Sequence, residues 1–309
     1  MSTKGFRFFE KYVHVFSLCR ASRGETARYD DDSTETTFFM LSRDFLLSLK
    51  PGDYIGQSKT CRKKLVQLCK ATGRVAIQLQ KEKYAIKPLL NGIECCTQGR
   101  IQCVTPIHAL VFQLCLMTEC FSVAEKLLSY NGLIQCPEDY LMTPRDILLY
   151  FYYGGMICTG LKDYEKAMDM FVSGIVTPLV TVSAIVVEAL KKYILVSLLV
   201  YGCLKQLPSY ASGAVQKVMK SECGEYLELA KHIEATESID AFVQEHESVW
   251  QNDGNFGLVK SILHTKNRRL MENLGKIYSV LPVPKLRQEL ALVETESVDI
   301  EMLRYVDIF

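Results

Sequence analysis

Residues Thr143–Phe171 read TPRDILLYFYYGGMICTGLKDYEKAMDMF, and they decide the fold. The stretch has the periodicity of two helices, yet Gly154 and Gly155 stand side by side in the first of them. Each glycine costs a helix interior roughly 1 kcal/mol relative to alanine, so something must require bare backbone there. Gly155 and Ala167 are twelve residues apart, and Phe171 follows one helical turn later. Small residues that face each other across two helices let their axes approach closely, with the large side chain as a plug. A phosphate-cradling turn is the rival explanation. It needs a preceding strand and a Gly-x-Gly-x-x-Gly or Gly-Lys-Ser/Thr pattern, and YYGGMICTG has neither.

Around this pair the chain repeats itself. Thr-Pro occurs at Thr105-Pro106, Thr143-Pro144 and Thr177-Pro178, each before an apolar stretch. Threonine at the N-cap with proline in the first turn is a favoured helix start. Asp146, three positions beyond Thr143, adds a capping acid at the positive end of the helix dipole. The first two starts lead to a second, shorter helix with the pattern Ala-x-x-x-large: Ala124 with Leu128, and Ala167 with Phe171. Separations of 38 and 34 residues (143 − 105 and 177 − 143) with paired helices predict tetratricopeptide-like repeats, an all-α fold stacked as a right-handed solenoid. In the third unit Glu188 and Lys192 are spaced to form an i, i+4 pair. Asn252, Asp253 and Gly254 mark a turn between later amphipathic helices.

Composition is that of an ordinary globular chain. Of 309 residues, 49% are apolar and 23% charged, and a net charge of +1 provides no overall attraction to nucleic acid or to an anionic membrane. Lys4, Arg7, Glu10 and Lys11 interrupt the N-terminus where a secretory signal needs an apolar core. Tyr193–Leu204 is twelve residues long, short of the about 20 needed to span a bilayer, and is expected to be a buried helix. The twelve cysteines include no Cys-x-x-Cys pair and lie among Leu, Val, Ile and Phe, which predicts reduced, buried thiols in a protein of the cytoplasm and nucleus and no metal site. Arg20–Thr37 has too few apolar residues to bury and reads as a linker. Its run Asp30, Asp31, Asp32 lacks the turn glycine and downstream bidentate glutamate of a calcium loop.

No catalytic constellation emerges. His14, His108, His232, His246 and His264 form no metal or triad spacing, and His246, between Glu245 and Glu247, reads as part of an exposed charged helix face. GRVAIQLQ at 73–80 has Gln78 where a kinase strand requires lysine. The basic clusters Arg62, Lys63, Lys64 and Lys266, Arg268, Arg269 lack interleaved aromatics and read as solvated helix faces, so no nucleic acid is expected as a partner. No catalytic residue and no cofactor are assigned. The assigned positions are structural: Gly154, Gly155, Ala167, Phe171, Ala124 and Leu128.

TPIHALVFQLCLMTECF, YFYYGGMICTGLKDYEKAM, KKYILVSLLVYG, LPSYAS and DGNFGLVK, in this order, resemble the subunit 3 family of the COP9 signalosome, helical-repeat proteins with a PCI domain. The resemblance covers about Phe38 to Tyr278, and LPVPKLRQELALVETESVDIEMLRYVDIF is similar to the first two helices of a PCI winged helix, ending before its hairpin. It implies an N-terminal helix and linker over 1–37, a repeat domain over 38–250, and a linker helix with a truncated winged-helix part over 251–309. It also implies a non-catalytic scaffold in a complex that removes Nedd8 from cullins and so regulates cullin-RING ubiquitin ligases, with other PCI and MPN subunits as partners. PCI subunits of the proteasome lid or of a translation initiation factor share the architecture and are the alternative.

Overall fold

The computed structural model describes residues 31–50, 59–97, 103–128, 142–178, 181–234 and 239–265, and among them the regular secondary structure is helical, with no strand. The chain divides into two compact units between Tyr153 and Gly154. The first holds α1 (Asp31–Ser48), α2 (Lys59–Gln78), α3 (Glu82–Thr97), α4 (Pro106–Met117) and α5 (Phe121–Leu128). Helix α6 (Pro144–Gly160) contains the division point. The second unit continues with α7 (Tyr164–Val176), α8 (Ala184–Tyr201), α9 (Gly213–Glu222), α10 (Gly224–Glu234), α11 (Ile239–Glu245) and α12 (Glu247–Asn252), and residues 256–265 form α13.

Helices pack on their neighbours one and two places along the chain. In the first unit α1 touches α2 and α3, α2 touches α3 and α4, and α4 touches α3 and α5; in the second, α8 touches α7, α9 and α10. Packing dominated by near neighbours is the mark of a stacked repeat protein.

The joints show the repeat more clearly than the helix starts do. Gln80, Glu119 and Lys162 adopt left-handed backbone at φ 54°, 56° and 62°. Each lies in the turn between paired helices: α2 and α3, α4 and α5, α6 and α7. At each joint the following amide reaches back to the same carbonyl position: Lys81 to Ala76 at 2.8 Å, Cys120 to Cys115 at 2.9 Å, and Asp163 to Cys158 at 2.9 Å. This is the Schellman termination, which satisfies the last orphan carbonyls of a helix. The joints are 39 and 43 residues apart (119 − 80 and 162 − 119). None uses glycine, so the signal is hard to see in the sequence.

Close helix approach recurs as well. A Cβ on Gly155 would lie 2.6 Å from the ring of Phe171, and one on Gly73 would lie 2.3 Å from the Leu110 side chain. Phe171 is fully buried, as are Ala124 and Ala167, with Leu128 2% exposed. Gly154 is buried too. The three atoms nearest to a Cβ on Gly155 all belong to the plug Phe171, so the bare backbone accommodates an aromatic ring. Gly73, set aside as part of an irrelevant motif, has the same role between α2 and α4.

Two further expectations change. Thr177 terminates α7 at φ −55°, ψ 124° instead of opening the next helix, and α8 is capped by Ser183, whose hydroxyl accepts the Ile185 amide at 3.1 Å. Proline excludes right-handed helical backbone at the residue before it, so Thr177 ahead of Pro178 favours the stop. The linker expected to reach Thr37 is helical from Asp31. Phe38, Phe39, Ser42, Phe45 and Leu46 form a buried stripe on α1, and a helix anchored by such a stripe extends beyond it because each added residue gains a hydrogen bond. The segment expected as a winged helix lies outside the described residues.

Helix α8 is the buried apolar helix anticipated, with Leu190, Ile194, Leu195 and Val196 all at 0% exposure. Among the described residues no helix is long and apolar enough to cross a membrane.

Candidate functional site

Several of the residues that could carry chemistry are used in capping and packing. His108 is buried at the third position of α4, where its Nδ1 accepts the Thr105 amide at 3.0 Å and meets the Thr105 hydroxyl at 3.0 Å. Burial pulls its pKa down to about 4, so it is a neutral cap at physiological pH. At the next Thr-Pro start, the Thr143 hydroxyl donates to Asp146 Oδ2 at 2.7 Å while the Asp146 amide donates back to the Thr143 hydroxyl at 3.2 Å. Lys70, from α2, donates to both Asp146 oxygens at 2.8 and 2.9 Å, so this capping box also ties two helices together.

His246 does not lie on an exposed charged face. It is half-buried at the break between α11 and α12, its Nδ1 lies 3.1 Å from the Phe242 carbonyl, and its ring packs at a tilt on Phe242, 4.4 Å between centroids. His232 packs against the same phenyl ring at 4.7 Å, and His264 is exposed. His14 lies outside the described residues. Among the described residues no three His, Cys, Asp or Glu side chains are placed to hold a metal ion.

Nine cysteines have described side chains, and they are reduced thiols. Burial raises the thiol pKa at Cys69, and pushes it to about 12 at Cys96 and Cys223 and to about 11 at Cys115. Protonated, enclosed thiols are poor nucleophiles. Exposed Cys203 is therefore expected to be alkylated at pH 8 in the native chain while Cys69, Cys96 and Cys223 react only after unfolding, as peptide mapping would show. Rapid native labelling of Cys96 would contradict this placement.

The densest polar construction lies in the second unit, where the KKY string of α8 meets the DGN turn between α12 and α13. Lys191 Nζ is 2.9 Å from Glu188 and 2.9 Å from Asp253 Oδ2. The Tyr226 hydroxyl, from α10, donates to the same Asp253 oxygen at 2.6 Å and accepts from Asn255 Nδ2 at 2.6 Å. Lys192, 7% exposed, donates its Nζ to Asn255 Oδ1. Tyr226 packs edge-on against fully buried Trp250 at 4.9 Å between ring centroids. Gly254 turns the backbone at φ 64°, so that the charged and amide side chains on either side of it enter the network together.

Charge within this knot is settled by competition. At Asp253 burial favours the neutral acid, but hydrogen bonds from Lys191 and Tyr226 outweigh it and hold the pKa below the ordinary carboxylate value of 3.8. Burial likewise opposes charge on Lys191, and its bonds to Asp253 and Glu188 reverse that and raise its pKa. At Lys192 burial dominates and lowers the pKa, outweighing the nearby negative charges of Glu188 and Asp253. The expected Glu188–Lys192 pair is thus corrected. Glu188 pairs with Lys191 at i, i+3, and Lys192 points into the protein toward a residue 63 positions away.

Residues 18–215 match the family described as COP9 signalosome complex subunit 3, N-terminal helical repeats. COP9 signalosome complex subunit 3 of Arabidopsis thaliana is 32% identical over 254 residues, 81% of this chain and 58% of the relative. The Dictyostelium discoideum protein of the same name is 32% identical over 211 residues, 67% of this chain and 50% of its own length. The chain therefore spans about half the length of these curated relatives. Stacked helix pairs with a shared joint, and a match that runs through all of them, establish that the chain belongs to the COP9 signalosome subunit 3 family.

Proposed function

We propose that the chain is a non-catalytic scaffold of the signalosome, holding neighbouring PCI and MPN subunits while the complex removes Nedd8 from cullins and thereby regulates cullin-RING ligases. The observation that carries this reading is the family match across the helical repeats. The use of titratable groups supports it. His108 and Asp146 cap helices, and Lys191, Lys192, Asp253 and Tyr226 are consumed in one internal knot. A repeat stack that spends its polar side chains on its own rigidity offers surface to partners instead of a reaction centre. The reading includes residence in the cytoplasm and nucleus, a repeat domain over 38–250, and a PCI-type C-terminal part over 251–309.

Affinity purification of the tagged chain from cells, followed by mass spectrometry, tests this reading. Signalosome subunits are expected as the main co-purifying set. Recovery of proteasome-lid or initiation-factor subunits in their place would overturn it.

A further inference from the structure

Near the joint of α2 and α3 the chain gathers positive charge that its own unit does not use. Residues 59–87 contain nine lysines and arginines and a single acid, Glu82. Helix α3 is held from within: Ala85, Ile86, Leu89 and Ile93 are buried, and the Lys81 amide is fixed to the Ala76 carbonyl at the joint. The opposite face presents Lys83, Tyr84 and Lys87 on that fixed backbone, all three exposed, with Tyr84 at 65%. Half-buried Lys81 stands one turn before Tyr84 and Lys87 one turn after it, so lysines bracket the phenol and Lys83 flanks it. Glu82 is half-buried and falls in line with Ile86 and Leu89, away from this row. Among the described residues no carboxylate pairs with Lys81, Lys83 or Lys87, and the exposed face meets no acid until Glu94, two turns beyond Lys87.

This arrangement works against the helix. Lys83 and Lys87 are like charges at i, i+4, which destabilise a helix. Lys81 and Lys83 stand at the positive end of the α3 dipole, where acids are favoured. Pro88, inside the helix, has no amide to give the Tyr84 carbonyl four residues back. Local rules broken together on one exposed face, with no gain elsewhere in the unit, mark a surface shaped for something outside it. The chemistry of the face selects the partner. Lysines one turn apart match carboxylates carried on another chain, and the ring between them offers contact to an apolar side chain. Tyrosine is enriched among the anchors of protein interfaces. A nucleic acid is the poorer fit, because one aromatic provides no run of stacking platforms and three lysines neutralise few phosphates.

We propose that the outer face of α3 binds an acidic segment of a partner protein, its carboxylates against Lys81, Lys83 and Lys87 and an apolar side chain against Tyr84. The inference rests on the scaffold reading above only in taking the partner to be a protein of the chain's own assembly. Charge complementarity speeds encounter and fixes register, while the covered ring supplies the hold. Exposed ion pairs are individually weak and are screened by salt. Association through this face therefore weakens as salt rises, and weakens at any salt when the ring is removed.

Zero-length cross-linking with a water-soluble carbodiimide, which joins an amine to a carboxylate only where the two touch, tests the proposal on the assembly purified with the tagged chain. Lys83 and Lys87 should be joined to an aspartate or glutamate of a co-purifying protein. Lys83→Glu with Lys87→Glu should cut recovery of that protein by about tenfold or more, since like charges then face each other. Tyr84→Ala should cut it as well, whereas Lys83→Arg with Lys87→Arg should keep it. The charge-reversed chain should melt at least as high as the wild type, because acids are favoured at the start of α3. Which proteins accompany the wild type decides the scaffold reading, and whether the cross-linked one is lost on charge reversal decides this one. Absence of cross-links from these lysines to another chain overturns the proposal. So does undiminished recovery of the cross-linked protein on charge reversal, a lowered melting temperature that assigns the lysines a structural role, or release of that protein by nuclease.

Discussion

Gly155→Leu is expected to destabilise the second unit by about 3 kcal/mol, near the upper end of what overpacking a core costs. The reason is local and severe. A Cβ at this position would lie 2.6 Å from Phe171 Cε1 and 2.8 Å from Cδ1 and Cζ, well inside van der Waals contact, and a leucine carries three further heavy atoms. Phe171 is fully buried and cannot swing into solvent. Alanine provides the sharper test, because its sign should depend on the ring. In an ordinary helix interior Gly→Ala is favourable by roughly 1 kcal/mol, so Gly155→Ala should destabilise the native chain yet stabilise one that already carries Phe171→Leu. A double-mutant cycle by chemical denaturation isolates that coupling. A Gly155→Leu chain that melts within a degree of the wild type would end the close-packing account.

The glycine pair, the Ala-x-x-x-large spacings and two of the three Thr-Pro starts were legible because they are local: each rule relates residues within one turn or one helix pair. What escaped notice follows from the same fact. Gln80, Glu119 and Lys162 hold left-handed backbone without the glycine that would announce it, so the most regular feature of the repeat carries no residue signature. The third Thr-Pro is a stop because two local rules compete there, capping and pre-proline sterics, and composition alone does not rank them. Gly73 was readable as a small residue on α2, but its partner, Leu110, is 37 positions away on α4 (110 − 73) and only the fold brings them together. The knot is the clearest case. Two adjacent lysines followed by a largely apolar run do hint that one of them is buried, yet helical spacing favoured Glu188 as the partner of Lys192, and nothing near either residue points to Asn255.

The knot should prove the most sensitive point of the second unit to a single polar deletion. Asn255→Ala removes the acceptor of Lys192 and leaves the buried amino group without it, a loss of about 1.5–3 kcal/mol for a hydrogen bond to a charged group. The amide of Asn255 also donates to Tyr226, so the loss propagates to the hydroxyl that supports Asp253. Lys192→Met in the Asn255→Leu background should recover most of the stability, since replacing both partners by apolar groups of similar size leaves no orphaned charge. A pure packing role for Asn255 would give no such recovery. Acid titration gives an independent reading: Asp253 has its folded pKa below 3.8, so its contribution is fully present above that ordinary value and is lost as pH falls through the lowered one. Asp253→Asn should therefore be less stable at neutral pH and show a shallower fall in stability on the acid side. Because the knot clamps the turn from which α13 departs, hydrogen exchange over 256–265 should accelerate in Asn255→Ala well before exchange in α8 does. Uniform acceleration across both helices would mean that the knot stabilises the unit as a whole and does not fix the direction in which α13 leaves it.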